Sequence, residues 1–230
     1  MTTLCLTNII PSAQSLKRSR ATEEAVTLTE ETIIVPQSKR RTVIKEQIKM
    51  NPHEYLLHLS KIEPTPSLSR ENFFHVYTEE EIEGYTCATT GAVRSLDLDK
   101  LRQMKNEGTS FQCSNPFGES LIHMACRRGS LEVVEFFTKE ANVDIKCRDD
   151  FGRTPMHDAC WTSNPNFELI ELLVTLCPEL LSLTDVRGHS PLQYTRREHW
   201  PLWLSFLEKH QERFKTTCWL NFNWWTTFTS

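Results

Sequence analysis

Apolar residues fall at helical spacing only after about residue 50. Residues 1–50 are rich in Thr, Ser, Lys, Arg and Glu with weak periodicity. They carry too little apolar material to offset the entropy of ordering, so a disordered polar and basic tail is predicted there. Asn51-Pro52 reads as a helix start, with Asn as N-cap and Pro at the first helical position. Tyr55, Leu56, Leu59 and Ile62 follow at helical spacing, and Pro64 and Pro66 end the run. Residues 51–77 are thus a short helix and linker, either a docking element or a helix resting on the domain behind it. Thr78-Glu79-Glu80-Glu81 has the form of a capping box and predicts a helix over about 79–90, with Ile82 and Tyr85 on one face. Asp97 caps a second helix in which Leu98, Leu101 and Met104 recur, and Gly108 fits a left-handed end. The two form a helix hairpin.

A repeat follows. Asn115 to Cys126 (NPFGESLIHMAC) aligns with Asp149 to Cys160 (DDFGRTPMHDAC), and a third copy opens at Asp185 (DVRGHSPLQ). Each part of the pattern has a physical reading. Gly118, Gly152 and Gly188 supply positive φ in a turn. Ser120, Thr154 and Ser190 are N-caps. Pro155 and Pro191 stand where a missing N–H costs nothing. A short helix, a turn and a second helix come next. The second helices carry Leu131, Val134 and Phe137, then Leu169, Leu172 and Leu173, then Leu204 and Leu207.

This pattern resembles the ankyrin repeat, with its turn ending in Gly and then Thr-Pro-Leu-His-x-Ala. The second copy matches best. The third has Gln193 in place of His and Thr195-Arg196 in place of a small pair, which suits a terminal cap. The insertion Pro165-Asn166-Phe167 in the second copy resembles uncharacterised ankyrin-repeat proteins of algae such as diatoms. The resemblance implies an all-α fold, a short ankyrin-type α-solenoid of about three to four helix-turn-helix repeats. The repeats would run over about 78–114, 115–148, 149–184 and 185–213, with an aromatic tail at 214–230. It also implies that Gly118, His123, Gly152, Thr154, Pro155, His157, Gly188 and Pro191 serve the repeat architecture.

The same resemblance implies a non-catalytic protein-interaction module or adaptor. Its partner would be gripped by turn tips and first-helix ends. Carried over, these positions are Phe117, Glu119, Arg127 and Arg128, then Phe151, Arg153, Trp161 and Thr162, then Arg187, His189 and Arg197. Aromatic and Arg side chains are enriched in interface hot spots, and Arg forks suit carboxylates, so an acidic or phosphorylated partner segment is expected. Replacing Arg127, Arg128 and Arg153 together is expected to weaken capture without unfolding the array.

Composition narrows the picture further. A chain of 230 residues with net charge −4 gives no general sign of nucleic-acid or membrane binding. No apolar run is long enough to span a bilayer, and Leu4 to Ile10 makes a poor signal core. The eight scattered cysteines read as reduced thiols of an intracellular, cytoplasmic or nuclear protein. His123-x-x-Cys126 and His157-x-x-Cys160 have zinc-like spacing, yet the repeat pattern accounts for all four; neither metal nor other cofactor is expected. The basic clusters Lys17 to Arg20 and Lys39 to Arg41 leave an alternative open: a nuclear regulatory protein whose tail serves import or touches nucleic acid. An organelle transit segment in the acid-free first 22 residues also stands open. For the tail around Trp219 to Trp225, three readings stand: packing on the last repeat, binding a partner, or an artefact of the gene model.

Overall fold

The computed structural model describes residues 50–61, 64–212 and 214. The basic clusters and the aromatic tail therefore lie outside the described residues. The fold is helical: paired helices stack side by side, joined by tight turns, with one two-residue parallel β-pairing among the described residues.

Four stacked units make up the array. The first pairs α3 (Cys87–Ser95) with α4 (Leu98–Asn106), preceded by α1 (Pro52–Ser60) and α2 (Glu79–Glu83). The second pairs α5 (Leu121–Arg127) with α6 (Leu131–Glu135), which runs on as a π-turn over Phe136–Glu140. The third pairs α7 (Pro155–Cys160) with α8 (Phe167–Leu176). The fourth has a 3₁₀ turn, Pro191–Tyr194, where the first helix would be, and then α9 (Trp200–Lys209). One continuous core runs through the stack, from Val93 and Leu101 through Leu121, Ile122, Val134 and Phe137 to Leu169, Leu173, Leu207 and Trp203, all essentially excluded from water. Phe111, Phe136 and Phe137 pack ring on ring between the first two units.

The predicted helix at 79–90 is corrected. Thr78 does cap a helix, but that helix ends at Glu83. Thr86 then caps α3 through its own box with Thr89. Thr86, Ser120 and Thr154 stand 34 residues apart, so α3 is the first helix of the first unit and α2 occupies the place of its turn. Gly84 aligns with Gly118 by the same offset but has φ −64 and stays right-handed, because helix α2 replaces the left-handed turn. The short helix expected after Ser190 is also corrected. Thr195 is extended there (ψ 134), and no α-helix forms between Ser190 and Trp200.

The segment before the array is bound along it. Helix α1 packs on α9 and on the Pro191–Tyr194 turn, so the chain's first described helix lies on its last unit. His53 Nδ1 sits 2.8 Å from Ser190 Oγ. The chain then returns toward the first unit. β1 (Thr65–Pro66) pairs in parallel with β2 (Leu183–Thr184), and buried Ser67 donates its hydroxyl to the Gly152 carbonyl at 2.7 Å. Next, Arg70 and Lys146 lie over Phe73, Arg148 lies over Phe74, and the His75 N–H donates to the Lys146 carbonyl.

Candidate partner-binding face

Each turn is built by one carboxylate or amide. Asn115 Oδ1 accepts the N–H groups of Phe117 and Glu119 at 2.9 and 3.0 Å. Asp149 Oδ1 accepts those of Phe151 and Arg153, and Asp185 Oδ1 those of Arg187 and His189. Buried Asp185 would have its pKa raised by desolvation, but the Tyr194 hydroxyl and these N–H bonds outweigh that and hold it lowered. Gly118, Gly152 and Gly188 complete the turns at φ +76, +74 and +80. The turns are stacked by backbone bonds, Asp150 N–H to the Phe117 carbonyl and Val186 N–H to the Phe151 carbonyl.

A histidine links each turn to the next. His123 Nδ1 lies against the Ser120 backbone N–H and hydroxyl, and its Nε2 reaches the Arg153 carbonyl at 3.1 Å. His157 repeats this with Thr154 and the His189 carbonyl. A nitrogen that accepts a backbone N–H carries no proton, so the His157 ring is neutral with the proton on Nε2. Burial lowers the His157 pKa to about 4. In the first and last units Thr89 Oγ1 and Gln193 Oε1 accept the same N-cap N–H. Cys126 and Cys160 are buried, and loss of solvation pushes both thiols up. Among the described residues no group of three or more His, Cys, Asp or Glu is placed to hold a metal ion.

Against this framework the expected binding residues divide. Phe117, Phe151 and Trp161 are exposed by 67%, 58% and 48%, although the N–H and C=O groups of Phe117 and Phe151 are both bonded. Arg128 is exposed and has no ion-pair partner among the described residues. Arg187, His189 and Arg197 are exposed too; Arg187 leans on Tyr194 and Asp185, and Arg197 on the Trp200 ring.

Arg127 bridges two units. It meets Glu119 at 2.8 Å and forks onto buried Asp158 at 3.0 and 3.2 Å. Arg153 clamps Asp149 beneath it and covers the Phe151 ring. The expectation that Arg127, Arg128 and Arg153 can be removed together without harm to the array is corrected, because removing Arg127 strands the Asp158 carboxylate in the interior. Thr162 is corrected as well. It is buried, and its hydroxyl is spent on the Ala159 and Asn164 carbonyls. A residue missed in the sequence, Arg94, is exposed at the end of α3, 34 positions before Arg128. The register set by Thr86 would have found it.

Residues 90–185 match the family model for ankyrin repeats, in three copies. The chain is 32% identical over 83 residues, 36% of its length, to human "SMC5-SMC6 complex localization factor protein 1". The bovine protein of that name matches at 31% over 83 residues. This chain is also 30% identical over 135 residues, 48% of its length, to the "E3 ubiquitin-protein ligase KEG" of Arabidopsis thaliana. In each case the match covers 8% of the relative's own length.

Proposed function

From the premise that residues 90–185 are an ankyrin-repeat array, a protein-interaction fold, we propose that this chain is a non-catalytic adaptor. It holds one protein partner on the face formed by the turn tips and first-helix ends. One observation carries the reading. Phe117, Phe151 and Trp161 stay more than 45% exposed, the first two on turns whose own N–H and C=O groups are bonded. Packing within the array does not require rings at those positions, whereas interface hot spots favour aromatic anchors. Arg128, Arg187, His189 and Arg197 rim the same side and suit an acidic or phosphorylated partner segment.

A nuclear setting is the second reading, favoured by the match to relatives whose name states that they localise the SMC5-SMC6 complex. A recruiting adaptor would serve such a role. No helix among the described residues is long and apolar enough to cross a membrane.

The test is a triple variant, F117A/F151A/W161A, used in affinity capture from cells expressing the tagged full chain. The proposal expects the set of captured proteins to shrink while the melting temperature stays within about 2 °C, since exposed side chains contribute little to stability. Unchanged capture would place the partner elsewhere.

A further inference from the structure

A cleft of about 390 Å³ opens between the first two units, lined by Tyr85, Arg94, Asn115, Glu119, Arg127 and Arg128 among others. Its charges are arranged unequally. Arg127 is neutralised within the fold by Glu119 and Asp158. Arg94 and Arg128 are exposed, and neither has an ion pair among the described residues. They hold the same place in consecutive units, eight positions after the N-caps Thr86 and Ser120. That place is taken by buried Thr162 in the third unit and by exposed Glu198 in the fourth. Two unpaired arginines from consecutive units therefore line one cleft, together with Tyr85, at the first end of the first-helix row.

We infer that the Arg94–Arg128 cleft seats carboxylate side chains of an acidic peptide segment of the partner. This rests on the adaptor reading above and specifies the chemistry it would recognise. A guanidinium fork presents parallel N–H donors that match a carboxylate or a phosphate. Glu119 lines the same cleft but is held by Arg127 at 2.8 Å, so the two unpaired forks set the charge of the cleft, and two carboxylates, one on each fork, balance it. Trp161 stands one unit further along the row, so an acidic segment followed by an apolar residue matches the order of groups on this face.

The probe is a short fluorescein-labelled Glu-rich peptide, with counterparts carrying Gln or phosphoserine in place of Glu, titrated against the full chain by anisotropy. The expected result is salt-sensitive binding of the Glu peptide, weaker binding of both counterparts, and about a tenfold loss of affinity in R94Q/R128Q. K100Q/K105Q, on the second helix of the first unit and away from the proposed face, is expected to bind within about twofold of wild type. Equal binding by R94Q/R128Q, equal binding of the Gln peptide, or an equal loss in K100Q/K105Q would each overturn the assignment. Tighter binding of the phosphoserine peptide would overturn the choice of carboxylate. The adaptor reading fails separately, when F117A/F151A/W161A leaves partner capture intact.

Discussion

At the scale of single residues, the repeat signature is a set of hydrogen-bond obligations. Asn115, Asp149 and Asp185 each collect two N–H groups, and His123 and His157 each bridge a cap to the following turn. The histidine roles were legible through the repeat pattern; the N–H-collecting roles of Asn115, Asp149 and Asp185 emerge only from the geometry. The role of Thr89 was not legible, since a threonine gives no sign in the sequence that it stands for a histidine. The His157 bonds make stability depend on pH. Its folded pKa is lowered to about 4 from 6.5, so the stabilising neutral form is fully present above about pH 6.5. Stability drains as pH falls toward 4, by up to about 3 kcal/mol. H157Q is expected to flatten that slope in chemical denaturation at stepped pH, because Gln193 already fills the equivalent position in the last unit. An unaltered slope would assign the dependence elsewhere. Gly152 gives a second expectation. Its φ is +74, and a Cβ there would sit 2.5 Å from Ser67 Oγ, while the same atom on Gly188 meets open space. G152A should cost about 2–4 kcal/mol and G188A about 1 kcal/mol, read from urea midpoints.

At the scale of elements, the second to fourth units were readable because Gly and then Ser or Thr recur at offsets of 34 and 36 residues, with Pro after the cap in the last two. The first unit was misread at its first helix. Glu79, Glu80 and Glu81 make a strong capping signal that drew the helix boundary too early. The true start, Thr86, is marked mainly by its distance from Ser120. The place of residues 51–77 could not be read at all, since the register of α1 on α9 depends on packing across some 140 residues. Those contacts have a stability consequence. Leu56 is buried on the last unit, so L56A should cost about 2 kcal/mol. A fragment beginning at residue 78 should melt several degrees below the full chain in circular dichroism. If that fragment melts with the full chain, α1 and its trailing strand contribute nothing to the stack.

At the scale of the molecule, α1, β1 and the Phe73–Phe74 stretch occupy turn and cap groups of the later units. Phe117, Phe151, Trp161, Arg94 and Arg128 stay open to water. Family and fold were plain in the sequence. The sequence did not reveal which arginines are free, because Arg127 and Arg128 are neighbours in the chain and only their geometry separates the structural one from the available one. The central claim is that the partner sits on these open residues. Hydrogen exchange of the full chain, alone and with its captured partner, tests it most directly. The account predicts protection at residues 116–119, 150–153 and 160–163 and little change in Leu131–Glu135 and Phe167–Leu176; protection confined to those second helices would contradict it.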